Sequence, residues 1–379
     1  EYLAGRALPV RDLADPHPAH RPHPRAGVCG AVVFISAAAG AAMAGAPVGP
    51  PSPAPAVPDL VAVVYAHDDT AAVDPTATTG GRRPPDPTIR PAADGCDHPW
   101  QVGPWLPSWS PTQHADAVRH ARAAIAAGDI YQVNLVGHAA ADYTGDPLPA
   151  LARLAALPGA RYGAVLTGAG WAIACASPET LVAAAGGRLV TRPIKGTRPA
   201  TEAGRRDLLA CAKERAEHVM IVDLERNDLA RIARTGTVRV DELYAVRRWC
   251  DLWQAESTVS AQAASGLGLA DLLRAICPGG SVTGAPKLAA LAHIAALEPV
   301  GRGPAMGALG WVGPHGIDLG LTIRTVAADD RRLHLWAGGG ITWGSDPDAE
   351  VAEAAAKAAP LRAALAGHPV PDTHPTPVR

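Results

Sequence analysis

The sequence predicts an α+β fold, and three observations carry that prediction. Short apolar runs follow one another between turn residues from 162 to 194 with no helical stretch among them. The segment "IDLGLTIRTVAADDRRLHLWAGGGI" (317–341) alternates as a hairpin should, turning at Asp329-Asp330. Helical periods come in blocks, around 201–233 and again at 269–276 and 286–297, instead of one per strand. That order excludes a βαβ dinucleotide fold.

Taken in order, residues 1–109 are rich in Pro and Gly and read as a short amino-terminal subdomain and linker, with one clear strand at "LVAVVYAH" (60–67). Residues 26–58 hold no charged side chain, and "RAGVCGAVVFISAAAGAAMAGAP" imitates a signal peptide or membrane span. It is mostly Ala and Gly, and a Pro-rich run follows at once, so a poorly packed, extended segment is the expectation and a membrane span is not. From Ser110 the pattern becomes helical, with Val118, Ala121 and Ile125 on one face, Gly128 as the stop, and a strand after it. Strands are expected at "YGAVLTG", "WAIACAS", "TLVAAA" and "RLVTRPI", and a closing helix at 348–366. The catalytic unit is therefore placed at 110–366 and a flexible tail at 367–379.

Composition narrows the function. A net charge of −2 gives no basic face for nucleic acid. The six cysteines are scattered with no CxxC pair, which fits neither a zinc site nor a disulfide framework, and reduced thiols in a cytoplasmic protein follow.

Four stretches carry chemistry. "CAKERAEHVMIVDLERNDLARI" (211–232) puts Glu214 and Glu217 one turn apart, and "DPDAEVAEAAAKAA" (346–359) repeats that spacing with Glu350 and Glu353, Lys357 continuing the face. Two such helices facing each other hold a hard divalent cation, whereas spacing alone favours two solvated faces. In "PGGSVTGAPKLAALAHI" (278–294) glycines lead to a helix started near Pro286, a place for an anion or simply a tight turn. The three glycines of "WAGGGITWGSD" (336–346) let backbone approach a ligand closely.

Together "SPETLV", "TRPIKGT", "AEHVMIVDLERNDLARI", "PGGSVTGAPK", "TIRT" and "AGGGI" with the final ExxE resemble the chorismate-utilising enzymes, over about residues 110–365. Component I of aminodeoxychorismate synthase and of anthranilate synthase belong to this family, with isochorismate and salicylate synthases as relatives. The resemblance implies large mixed or antiparallel sheets packed against helices. It also implies a Mg²⁺-dependent displacement of the chorismate 4-hydroxyl. Water-using members resemble one another in a lysine where this chain has Gln132, and glutamine there is typical of ammonia users. Most members carry alanine where "PIKGT" places Lys195, and the lysine is the mark of the aminodeoxychorismate-forming branch.

By that resemblance Lys195 is the nucleophile and Glu179 the acid/base, while Glu217 and Glu353, supported by Glu214 and Glu350, hold Mg²⁺. Gln132, Gly196, Thr197, Ser281, Arg324, Gly338, Gly339, Gly340 and Lys357 line the substrate, and Trp311 stacks on it in place of a common tyrosine. A half-apolar pocket is expected to favour the neutral amine of Lys195. Gln254 stands where the family usually has histidine and cannot shuttle protons. No glutamine-hydrolysing segment is visible, so a glutamine amidotransferase subunit is the implied ammonia donor. The product, by an amino-group transfer onto chorismate, is 4-amino-4-deoxychorismate, feeding para-aminobenzoate and folate or a specialised aromatic amine. Anthranilate formation, or chorismate binding without catalysis, are the alternatives.

Overall fold

A computed structural model describes residues 12–14, 28–66 and 99–367. Seventeen strands and eight α-helices are found among them. The strands form two large sheets in which every pairing is antiparallel. The first runs β10 (Ile194–Pro199), β12 (Leu252–Gln262), β9 (Arg188–Arg192), β8 (Thr180–Ala185), β15 (Gly316–Leu321), β14 (Ala308–Gly313), β1 (Val28–Ile35) and β2 (Leu60–Ala66). A further strand, β11 (Arg239–Trp249), pairs with β12. The second runs β13 (Gly284–Ala285), β5 (Gln132–Thr144), β17 (Arg332–Ile341), β16 (Thr325–Asp329), β7 (Trp171–Ser177) and β6 (Tyr162–Gly168), with β3 (Gln101–Val102) and β4 (Leu106–Pro107) on β5.

One core cluster joins the sheets, with Ala31, Val33 and Leu319 from the first and Val136, Ala327 and Trp336 from the second. Another seats α3 (Leu148–Ala155) and α8 (Pro347–Ala366) on the second sheet through Leu151, Leu154, Leu335 and Leu361. Helix α2 (Pro111–Ala127) starts in a capping box between Ser110 and Gln113 and stops at Gly128, whose φ of +84° suits glycine. Such a cap is worth about 1 kcal/mol. Here the local sequence signals and the fold agree.

Residues 26–58 depart from expectation. They hold β1 and the helix α1 (Ala37–Met43), and β1 lies inside the first sheet between β2 and β14. Phe34 packs to one side of β1, while Ala31, Val33 and Ile35 pack to the other. A strand buried on both faces shows no alternation, so its apolar run looks like a span or a structureless stretch. Burying Phe34 alone is worth about 2 kcal/mol. Among the described residues no helix is long and apolar enough to cross a membrane. Strands β1 to β4 all precede residue 110 and all join the two sheets, so hydrogen bonding runs across the expected boundary. The proposed tail from residue 368 onward lies outside the described residues.

The hairpin expected over 317–341 also divides. Asp329-Asp330 do turn β16 into β17, but β15 belongs to the other sheet. The chain changes sheets at residues 322–324, where Arg324 takes φ +52°. That conformation is costly for a non-glycine residue, by about 1 kcal/mol or more, and the packing around it must hold it.

Candidate active site

The change of sheets opens a cavity lined by β10, β17, α8 and the end of β12, with Arg324 in its wall. Lys195 reaches it from a strand, not from a loop. The pairing of β10 with β12 shifts register between Ile194 and Thr197, and this bulge releases Lys195 and Gly196 from the ladder. Gly196 has φ +92°, and a Cβ there would sit 3.0 Å from Leu208 Cδ1 and 3.1 Å from Glu214 Oε2. The lysine Nζ lies 3.0 Å from Glu217 Oε2 and donates to the Gly340 carbonyl at 3.1 Å.

That placement reverses one expectation. Burial by itself lowers the Lys195 pKa. The charges of Glu217, Glu353 and Glu350 outweigh burial and hold it above the ordinary lysine value. The ammonium form is therefore favoured until those carboxylates are engaged elsewhere.

Glu179 follows β7 and is buried. Its Oε1 accepts from Ser281 Oγ at 2.5 Å and from the Ile194 amide at 3.3 Å. Burial, helped by the charges of Glu225 and Glu256, pushes its pKa to about 8 against those hydrogen bonds. At neutral pH it carries a proton that it can give. Ser281 thus lines the cavity and also orients the acid.

Arg324 is buried, donates to the Lys357 carbonyl at 3.1 Å, and stacks 4.2 Å above the Trp249 ring. Burial lowers its pKa to about 10, only partly countered by Cys250, Glu353 and Glu179. None of the ion pairs among the described residues includes it. A buried guanidinium without a carboxylate is a receptor for an anionic ligand.

The three glycines lie within β17, paired to β5, and what they offer the site is carbonyls and room. Gly338 O accepts from Lys357 Nζ at 2.9 Å, as Gly340 O does from Lys195. A Cβ on Gly339 would stand 3.1 Å from Glu350 Oε2, and one on Gly340 would stand 2.9 Å from Gln132 Nε2. Gln132 is fully buried beside Lys195, and neither its Nε2 nor its Oε1 has a hydrogen-bond partner.

Glu353 lines the cavity, and Glu217 and Glu350 approach it through Lys195 and Gly339; carboxylate oxygens are the donors a hard divalent cation takes. Glu217 is held by Lys195, by Lys213 at 3.7 Å and by Thr342 Oγ1 at 2.5 Å, while Glu214 pairs with Arg198 at 2.8 Å. Glu353 pairs with Lys357 at 2.6 Å. Burial would raise the Glu353 pKa, but Lys357 and Lys195 bring it down to about 2. Burial and the neighbouring Glu353 charge raise that of Glu350, the mark of a carboxyl short of positive charge. Among the described residues no three acidic, His or Cys side chains converge into a preformed cage.

Trp311 is a correction. It sits on β14, 37% exposed, against Gly30 and 5.9 Å from the Tyr65 ring, and is not in the cavity wall. Alternation along β14 puts it on the face of the sheet that carries Val32 and Phe34, away from the core between the sheets. At the start of α7 (Lys287–Leu297), read as a place for an anion or simply a tight turn, Pro286 caps the helix and Lys287 is tied to Asp228 at 2.6 Å, in keeping with the tight turn. This stretch gives the cavity Ser281 and Val282. Gln254 and Thr197 do line it.

Two residues escaped sequence reasoning. Asn134 lines the cavity with its Oδ1 unpaired, and its place two after Gln132 on a strand was the available signal. His218 sits within 3.2 Å of the Lys195 carbonyl and 2.5 Å of Ser257 Oγ. Burial takes its pKa to about 4, so it is a neutral brace for the lysine strand.

The chain belongs to the chorismate binding enzyme family, whose profile matches residues 10–363. The chain is 40% identical over 300 residues to anthranilate synthase component 1 of Streptomyces coelicolor, covering 76% of this chain and 58% of that protein. It is 35% identical over 274 residues to aminodeoxychorismate synthase component 1 of Bacillus subtilis, covering 70% and 58%. The Salmonella typhimurium aminodeoxychorismate synthase component 1 is 39% identical over 256 residues, 66% of this chain and 56% of that one. The chain thus spans less than two thirds of the length of each of these three relatives. Among solved structures, anthranilate synthase component I from Streptococcus pneumoniae superposes with a TM-score of 0.73 at 27% identity, covering 90% of this chain and 82% of that one.

Proposed function

We propose that the chain converts chorismate and ammonia to 4-amino-4-deoxychorismate. The observation that carries this is Lys195, whose amine enters the cavity at the position where, by the resemblance, lysine marks the aminodeoxychorismate-forming branch. It faces an unpaired guanidinium and a protonated carboxyl. Arg324 binds a substrate carboxylate and sets the ring against Lys195. Once the glutamates are engaged, Lys195 releases its ammonium proton to solvent; the neutral amine attacks C2, the double bond shifts, and the C4–O bond breaks while Glu179 gives its proton, so that water leaves. Ammonia then adds at C4, the bond from C2 to Lys195 breaks, and the amine recovers its electron pair. The Glu179 carboxylate takes the surplus proton from the new ammonium group.

Glu217 and Glu353, with Glu350 and Glu214 beside them, would hold Mg²⁺. When bound, the ion supplies positive charge for a substrate carboxylate and relieves the charge of these glutamates. Ammonia would come from a separate glutamine amidotransferase subunit, in keeping with the "component 1" names of the relatives.

The anthranilate synthase relative at 40% identity supports a second reading, anthranilate formation, and Lys195 speaks against it. The test is chorismate, Mg²⁺ and ammonium with the purified chain, the product resolved by chromatography with and without an aminodeoxychorismate lyase. A lyase-sensitive product is expected. Anthranilate without lyase, or no consumption of chorismate, refutes the proposal.

A further inference from the structure

Behind Glu179 lies a second buried carboxylate that the reaction does not use. Glu225, on α5 (Ala212–Ala230), is 4% exposed and points between two strands and the turn at Gly280–Val282. Its Oε1 accepts from the Gly280 amide at 3.1 Å, one residue before Ser281. Its Oε2 lies 3.3 Å from Thr191 Oγ1, and that hydroxyl is 3.4 Å from the carbonyl of Thr180, one residue after Glu179. Each oxygen of Glu225 is thus engaged next to a member of the acid site. The fit is close, since a Cβ on Gly280 would stand 2.9 Å from Glu225 Oε1 and 2.7 Å from Leu224 Cδ2.

We infer that Glu225 is a positioning residue for the acid Glu179: it anchors the Gly280 turn and β9 so that Ser281 Oγ and the Ile194 amide meet on one carboxyl oxygen. This rests on Glu179 acting as the acid. Position alone does not require a charge, because an amide would hold Gly280 equally well. The charge has its own consequence. The ionisable groups around Glu225 are Asp228 on the same helix, Lys287 bound to Asp228, Cys277 and Glu179; Glu256, paired with Arg161 at 3.1 Å, acts on Glu179 from the other side. Burial and the Asp228 charge raise the Glu225 pKa to about 7, against Lys287, so around pH 8 Glu225 is an added negative neighbour to Glu179. It therefore helps to keep the acid protonated.

Two variants separate the roles. Glu225→Gln keeps both oxygen-side contacts, with Thr191 accepting where it donated, and removes the charge. Its kcat should stay near wild type, while the high-pH limb of kcat/KM for chorismate moves down by about half a unit. Glu225→Ala loosens the anchors, and kcat should fall on the order of tenfold or more with KM little changed. Rescue by glutamine at neutral pH, joined to a displaced limb, is a pattern that a purely structural residue does not give. Both variants are first checked for a cooperative melt. The inference is overturned if Glu225→Gln melts as wild type and its limb does not move, or if Glu225→Ala loses stability alone and keeps the wild-type kcat. Glu179→Gln is run beside them. If it keeps wild-type activity, the acid assignment itself has failed, and the inference falls with it for that separate reason.

Discussion

Glu179→Gln tests the acid assignment through pH. With its pKa pushed from 4.5 to about 8, Glu179 is about 90% protonated at pH 7 and about 10% at pH 9. An ordinary glutamate would be protonated in about 0.3% of molecules at pH 7, so burial raises the population of the working acid roughly 300-fold. Wild-type kcat/KM for chorismate should fall about tenfold between pH 7 and pH 9, provided the concentration of free ammonia is held constant. Glu179→Gln should lose on the order of 10²–10⁴-fold in rate, as removal of a general acid does, and show no limb near pH 8. Stability carries the same sign. A carboxyl whose folded pKa is raised contributes stability that is fully present below about pH 4.5 and lost as pH rises through about 8. The variant should therefore show a shallower loss of stability over that window. A Gln variant that turns over at the wild-type rate, or one that keeps the limb, refutes the assignment.

Three further outcomes follow from the geometry. Lys195→Ala should lose most of its kcat with chorismate binding less affected, and wild-type enzyme given chorismate and Mg²⁺ without ammonia should show a substrate-derived mass on the Lys195 peptide; absence of the adduct together with an unchanged rate sinks the covalent route. Glu353→Gln leaves Lys357 without its 2.6 Å partner and should abolish activity at ordinary Mg²⁺ while the melt stays cooperative; wild-type turnover and metal dependence would mean the ligand assignment is wrong. Arg324→Gln removes the unpaired guanidinium and should raise KM for chorismate by about tenfold or more, read by steady-state kinetics, and an unchanged KM excludes Arg324 as the carboxylate receptor.

Local order decided what could be read in advance. The strands from 162 to 192 and helix α2 are signalled by neighbours a few residues apart, through turns, caps and alternation, and the chain alone determined them, whereas β10 with Lys195 was not among them. Glu179, Lys195 and the three glycines of the cavity were legible because "SPET", "PIKGT" and "AGGGI" each keep their chemistry within one short stretch, whereas Asn134 was not. Only the tertiary structure decided the rest. Whether 28–35 was a strand or a structureless run depended on β2 and β14, the latter far along the chain, burying both its faces. Whether 317–329 was one strand or two depended on two different sheets competing for it. The side to which Trp311 points was set by register against β1. The charge of Lys195 is a sum over Glu217, Glu350 and Glu353, which no local pattern brings beside it. Propensity and motif act over a few residues, whereas burial and Coulomb energy depend on distances that exist only once the sheets have met.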